Sequence, residues 1–272
     1  MPFTNVNGFQ MHYQVRGDGP PLVIAHGLLS SMLMADILGE VPIALFQHFS
    51  VITYDARGHG ESGFTTNTAD YQWESLAADL LGLFNHLGIK QAHLGGSSMG
   101  GGTVLVFALR HPEMVNNIVL QSPPPVGQQQ SAPGAALFGG LALLIEGLGL
   151  KKAVETVLKI PPWADLKKTA PLMFTFMRQW LLSLNAQAVV PAIRGIAYGP
   201  ALDKEDFSRI QAESLLIAHP DDELHPVASA ERLRDAIPNS QLVVAPDAFY
   251  YNLHRDELAS TIQAFLQDGP AQ

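Results

Sequence analysis

The sequence of 272 residues contains no cysteine, which excludes disulfide bonds and thiolate-bound metals. Charge is also scarce, since charged residues make up 15% of the chain and only 16 residues are basic. The net charge of −9 argues against a nucleic-acid partner, because contacts to phosphate need clustered Lys and Arg side chains. The N-terminus lacks a basic stretch followed by an apolar one, so no signal peptide is expected. Together these absences favour a cytoplasmic protein.

Long apolar runs are nearly absent as well, with one exception. The segment from Ser131 to Leu150 approaches the length of a membrane span, but it contains Pro133, five glycines and Glu146. Its uncharged part is shorter than the ~20 residues that a span needs. We therefore predict a buried or cap helix here, and no membrane span.

Alternation of short apolar strands with helical patterns organises most of the chain. Hydrophobic residues make up 47% of the sequence, enough to bury a large core. The opening segment predicts a hairpin turning at Asn7-Gly8, and the later strands and helices predict a mostly parallel sheet covered on both faces. The rhythm breaks between Pro123 and about Asp206, where no strand is evident. We predict core segments at residues 1–124 and 207–272, with a helical insertion at 125–206.

The segment "GGSSMGGG" fits the pattern G-x-S-x-G between a predicted strand and a predicted helix. Ser98 alone satisfies the spacing, since Gly96 stands two residues before it and Gly100 two residues after it. A serine on a sharp strand-to-helix turn has strained backbone angles, and side chains at those two positions would collide. Ser98 is therefore the candidate nucleophile.

Around this motif the chain resembles the α/β-hydrolase fold superfamily, in its cap-bearing branch of esterases, lactonases, carbon–carbon bond hydrolases and haloperoxidase-like proteins. The resemblance covers nearly the whole chain except the insertion, which corresponds to the variable cap of that family. It implies an eight-stranded, mostly parallel sheet with helices on both faces. Four further segments carry it: "AHG" (25–27), "DARGHGES" (55–62), "ALRHPEMV" (108–115) and "LLIAHPDDELHP" (215–226).

The resemblance also implies roles for individual residues. The backbone amides of Leu28 and Met99 would form the oxyanion hole. Asp222 would be the triad acid, with its neighbour Asp221 as the alternative. No metal or organic cofactor is implied, and Asp55, Arg57 and His59 are interpreted as a structural turn.

The triad histidine is missing from its usual place. Tyr250 stands 28 residues after Asp222, where relatives carry that histidine, and a phenol with a pKa of about 10 is a poor general base. Under one interpretation His254, four residues later, reaches Ser98 through a rearranged loop. Under the other, the histidine was lost, naturally or by engineering, and Tyr250 lines an inactive or altered site. His225 and His219 are further alternatives, each more often a surface or packing residue.

Two functions are therefore predicted. The leading one is a serine hydrolase that cleaves a small, fairly apolar carboxylic ester, lactone or related acyl compound through Ser98, Asp222 and His254. The alternative is a non-hydrolytic or ligand-binding member of the same fold. A haloalkane dehalogenase is disfavoured, because those relatives have Asp where Ser98 stands. The partner is a small-molecule substrate, and the oligomeric state is not predicted.

Overall fold

In the computed structural model, residues 2–126, 133–161, 163–202, 206–247 and 250–267 are described. Eight strands form one sheet in the order β1-β2-β4-β3-β5-β6-β7-β8. The strands are β1 Phe3–Val6, β2 Phe9–Arg16, β3 Pro21–Ala25, β4 Ser50–Tyr54, β5 Ala92–Ser97, β6 Val115–Gln121, β7 Glu213–Ala218 and β8 Ser240–Val244. From β3 to β8 every pair of neighbours is parallel.

The first two strands are the antiparallel edge of the sheet. β1 pairs with β2, and β2 pairs with β4, both antiparallel. Asn7 and Gly8 form the predicted hairpin turn with φ of 43° and 86°, as a two-residue turn of this kind requires. The prediction of a mostly parallel eight-stranded sheet is confirmed.

Helices flank the sheet and connect its strands. They are α1 Met32–Leu38, α2 Trp73–Leu87, α3 Met99–Arg110, α4 Pro133–Leu148, α5 Leu150–Val157, α6 Trp163–Thr169, α7 Pro171–Ser183, α8 Val189–Ala197, α9 Val227–Ala236, α10 Tyr250–Leu253 and α11 Arg255–Gln267. Helix α1 was not predicted from the sequence. It begins after Ser31, whose side chain accepts the Met34 N–H, and ends at Gly39 with φ of 80°.

Two apolar clusters lie on opposite faces of the sheet. Successive side chains of β3 point to opposite faces, so that Val23 belongs to one cluster and Leu22 to the other. The first cluster includes buried residues of α2, α3 and α9, and the second includes residues of α1 and α11. Helices therefore cover both faces, as the sequence predicts.

Helices α4 to α8 lie between β6 and β7 in the chain, inside the predicted insertion. Ala142 and Ile145 of α4 are buried with Ile193 of α8 against Leu29 of the core. The apolar run that was predicted as a cap helix forms α4, although Ser131 at its start lies outside the described residues. In the described ranges, no helix has both the length and the apolar character needed to cross a membrane. The limits of the insertion at 125 and 206 stay a prediction.

Candidate active site

Ser98 stands at the sharp turn where β5 gives way to α3. Its backbone has φ of 50° and ψ of −110°, a strained conformation for a residue with a side chain. Ser98 is half-buried, and it lies at the carboxyl edge of a parallel sheet, where open α/β sheets bind their ligands. Because Ser98 is the N-cap of α3, the positive end of the helix dipole lies beside its hydroxyl.

The two glycines of the motif are needed because the backbone is crowded here. A Cβ at Gly96 would lie 2.5 Å from the Gly100 carbonyl carbon. A Cβ at Gly100 would overlap the carbonyl oxygen of Ala25 at the end of β3. Side chains at these positions would push the turn away from β3, as the sequence pattern predicts.

A continuous chain of hydrogen bonds joins Ser98 to a histidine and a carboxylate. His225 Nε2 lies 2.8 Å from Ser98 Oγ, and His225 Nδ1 lies 2.9 Å from Asp222 Oδ2. An Asp carboxylate accepts hydrogen bonds, so Nδ1 carries the proton and Nε2 faces the serine hydroxyl as an acceptor. The side chains of His225 and Asp222 are 15% and 14% exposed, so both are largely screened from water.

The loop after β7 folds back on itself to make this contact. Asp222 Oδ1 accepts the backbone N–H groups of Leu224 at 2.9 Å and His225 at 3.0 Å. This turn brings the imidazole of His225 to the carboxylate of Asp222, three residues earlier in the chain. Asp221, the alternative acid, has φ of 61° and is exposed. The contact to histidine is thus made by Asp222.

Asp222 is electrostatically suited to orient a histidine. Burial alone would raise the pKa of Asp222, but hydrogen bonds and charge from His225, together with the charge of His219 nearby, lower it to about 2. His219 Nε2 lies 3.4 Å from Asp222 Oδ2. The carboxylate is therefore ionised throughout the neutral range.

The prediction that His254 reaches Ser98 differs from the structure. His254 is exposed at the start of α11, and its ring stacks on Tyr250 at a centroid distance of 4.4 Å. The expectation that Tyr250 lines the site also differs, since its hydroxyl donates to Glu257 at 2.7 Å on the surface. Helix α10 begins at Tyr250, and α11 begins one residue after His254.

The signal that could have found His225 is its spacing from Asp222. The histidine was expected after β8 because that is where relatives of the resembled family carry it. Asp-x-x-His within one loop permits an Asp side chain to cap its own turn and hold the histidine, which is the geometry found at Asp222 and His225.

A tight turn at Gly27–Ser30 lies against Ser98. Ser30 N–H donates to Gly27 O at 3.1 Å, and a Cβ at Gly27 would be 3.5 Å from the Ser98 Cβ. Leu28 lies inside this turn, and Met99 is the first residue of α3. Within the described part of the chain, neither the Leu28 N–H nor the Met99 N–H has a hydrogen-bond acceptor. Two free backbone donors thus flank the serine.

A cavity of about 250 Å³ lies on the other side of the serine turn, beside the ends of β7 and β8. Glu40 contributes a carboxyl to it, and His219, Asp247 and Tyr251 also line it. Burial raises the pKa of Glu40 to about 7, although the charge of His225 opposes the shift. The cavity lies next to the segment after β8, where the triad histidine was expected from the sequence.

A larger cleft of about 990 Å³ separates α1 from the cap helix α7. Met32 and Ile37 line it from α1, Phe176 and Trp180 line it from α7, and Ser30 lies at its edge. Among the described residues, no cluster of three or more His, Asp or Glu side chains is arranged to hold a metal ion.

Comparison with known proteins agrees with this fold. A family model described as alpha/beta hydrolase fold matches residues 20–144. A putative carbamate hydrolase, RutD, from Pseudomonas savastanoi pv. phaseolicola is 29% identical over 254 residues, which cover 86% of this chain and 88% of the relative.

Solved structures extend the match to almost the full length. A thermophilic esterase from Thermogutta terrifontis superposes with a TM-score of 0.78 at 25% identity, covering 98% of this chain and 96% of the esterase. An enol-lactonase from Burkholderia xenovorans LB400 gives a TM-score of 0.80 at 24% identity, with 97% and 99% covered, and this likeness concerns the fold alone.

Proposed function

Because this chain belongs to the α/β-hydrolase superfamily, we propose that it is a serine hydrolase whose triad is Ser98, His225 and Asp222. Its substrate is a small, fairly apolar carboxylic ester, lactone or related acyl compound. The observation that carries the proposal is the unbroken chain of hydrogen bonds from Ser98 Oγ through the imidazole of His225 to Asp222. His225 thus replaces His254 as the proposed base.

In the acylation step, His225 Nε2 takes the proton of the Ser98 hydroxyl while the oxygen attacks the carbonyl carbon of the substrate. Asp222 holds the required tautomer and stabilises the imidazolium that forms. The tetrahedral intermediate collapses when the bond to the leaving alkoxide breaks, and the imidazolium returns its proton to that oxygen. The products are an acyl-enzyme on Ser98 and a free alcohol, which in a lactone remains attached to the acyl group.

Deacylation repeats the same steps with water as the nucleophile. His225 takes a proton from water, hydroxide adds to the acyl carbon, and Ser98 Oγ leaves with the proton from the imidazolium. In both steps negative charge develops on the carbonyl oxygen. The N–H groups of Leu28 and Met99 are the donors proposed to hold it, supported by their free state and by the N-terminus of α3.

The cleft between α1 and α7 supports a fairly apolar substrate. It opens beside Ser30, two residues beyond Leu28, and its walls carry the side chains of Met32, Phe176 and Trp180. Similarity to a carbamate hydrolase and to an esterase supports the choice of ester-type bonds. The reason for a non-hydrolytic function was the missing histidine, and the position of His225 beside Ser98 supports the hydrolytic function instead.

The test is labelling by a fluorophosphonate probe combined with hydrolysis of short p-nitrophenyl esters. We expect wild type to label and to hydrolyse, and Ser98→Ala to do neither. Ser97→Ala is the matched control, because it removes a serine hydroxyl from the neighbouring residue and should keep the labelling. A wild-type protein that neither labels nor hydrolyses would contradict the proposed function.

A further inference from the structure

His59 lies against the Gly27–Ser30 turn, at the wall of the cleft between α1 and α7, and is only 4% exposed. Its Nε2 accepts the backbone N–H of Leu29 at 3.2 Å, and its Nδ1 lies 2.9 Å from the carbonyl oxygen of Arg57. A carbonyl only accepts hydrogen bonds, so Nδ1 carries the proton and Nε2 is a bare acceptor. The backbone of one motif, "DARGHGES", thus sets the tautomer that holds the backbone just after another, "AHG".

This arrangement requires a neutral imidazole, and the surroundings keep it neutral. Burial and the charge of the neighbouring His26 lower the pKa of His59 to about 3, against the opposing effects of the Arg57 carbonyl and of Asp55. At neutral pH the Nε2 lone pair is therefore available for Leu29 N–H.

The bond falls on a strained residue. Leu29 has φ of 59°, a left-handed conformation that is strained for a residue other than glycine. Without a partner for its N–H, the peptide plane between Leu28 and Leu29 would be free to rotate toward a less strained conformation. A neutral histidine at hydrogen-bond distance opposes that rotation.

His26 fixes the preceding peptide plane in a similar way. Its Nε2 accepts Ala56 N–H at 3.0 Å, so its Nδ1 is the donor to Gly27 O at 2.8 Å. The Gly27 carbonyl and the Leu28 N–H belong to the same peptide group. The two peptide planes that flank the Leu28 Cα are therefore each held by one buried histidine, and the two rings contact each other at 5.2 Å.

We propose that His59 is a positioning residue for catalysis: by fixing the peptide plane that follows Leu28, it helps His26 to hold the Leu28 N–H in the orientation that receives the oxyanion. This goes beyond the structural turn inferred from the sequence and rests on the proposed function. Substrate binding in the cleft does not require the orientation of one amide. The transition state does, since the donor must meet the oxygen only when charge develops there.

The experiment compares three variants for ester hydrolysis and for inhibition by an aryl trifluoromethyl ketone, which Ser98 would convert to an anionic hemiketal. His59→Phe keeps a ring of similar size but lacks the acceptor. His59→Gln supplies a carbonyl oxygen that can accept from Leu29 N–H. His93→Phe is the matched control, because His93 is also buried but lies at the opposite end of β5 from Ser98.

We expect His59→Phe to lower kcat about 10- to 100-fold with little change in KM, and to weaken the ketone by the same factor as kcat/KM. His59→Gln should recover most of the loss, and His93→Phe should keep its kcat whatever its melting temperature. The proposal would be overturned if kcat of His59→Phe were unchanged, or if its KM rose by as large a factor as its kcat fell. It would also be overturned if His59→Gln recovered none of the lost kcat. If wild type neither hydrolyses nor labels, the proposed function fails with it.

Discussion

The two loops that follow β7 and β8 differ in how they meet the serine. The loop after β7 is tied to its own carboxylate, since Asp222 accepts two backbone N–H groups and aims His225 at Ser98. The segment after β8 instead forms α10 and α11, where Tyr250 and His254 stack on each other at the surface. Where the backbone places a histidine decides whether it can act as the base, so a histidine in the loop after β7 can reach the serine when His254, after β8, does not.

The largest effect should separate the two histidines. We expect His225→Ala to lower kcat about 10³- to 10⁶-fold, because His225 is the proposed acceptor of the serine proton. His254→Ala removes an exposed ring and should change kcat by about twofold or less. Steady-state hydrolysis of a p-nitrophenyl ester measures both. Equal losses in the two variants, or a larger loss in His254→Ala, would reverse the comparison.

The next effect should separate two neighbouring carboxylates within the loop after β7. Asp222→Asn keeps the shape but loses the charge that holds the Nδ1–H tautomer, so kcat should fall about 10³- to 10⁴-fold. Asp221→Asn is the matched control: asparagine tolerates the positive φ of Asp221, and kcat should change by about twofold or less.

Stability in acid tests the same carboxylate. The lowered pKa of Asp222 means that it stays ionised until pH approaches about 2. Its contribution to stability is present above the ordinary pKa of 3.8 and is lost as pH falls through that lower value. The stability gap between wild type and Asp222→Asn should therefore not close as pH falls from 8 to 5. A gap that closes as pH falls from 8 to 5 would contradict this assignment.

The smallest effect concerns the side of the site near β8, where the carboxyl of Glu40 has its pKa raised rather than lowered. Burial favours the protonated form, so the stabilising effect of protonation is complete below about 4.5 and is lost as pH rises through about 7. Glu40→Gln should be more stable than wild type at pH 8, on the order of 1–3 kcal/mol, and similar to it near pH 5.

Urea unfolding at both pH values measures this difference. The control is Glu231→Gln, at an exposed position of α9, whose stability relative to wild type should not vary between the two pH values. If Glu40→Gln is no more stable at pH 8 than at pH 5, the carboxyl of Glu40 is not held in an environment that disfavours its charge.

Local sequence patterns predicted the fold and the serine turn because their physics is local. Asn7-Gly8 fixes its own turn, and Gly96 and Gly100 are required by backbone packing within a few residues of Ser98. Helix α1 was missed because it is only seven residues long and gives little periodic pattern. Its ends are set by the Ser31 side chain, which accepts one backbone N–H, and by the positive φ of Gly39.

The base could not be predicted in the same way. Whether His225 or His254 meets Ser98 depends on the paths of two loops, and the sequence was interpreted through the spacing usual in relatives. The role of His59 was missed for a similar reason. Its partner Leu29 is 30 residues away, and only the packing of β4 beside β3 brings the two together.

The most direct test is a crystal structure of the enzyme with Ser98 phosphonylated by the fluorophosphonate probe. We predict the imidazole of His225 within about 3.2 Å of Ser98 Oγ and bonded to Asp222, with His254 still stacked on Tyr250 at the surface. A structure in which His254 contacts the serine, with His225 turned away from it, would contradict the account.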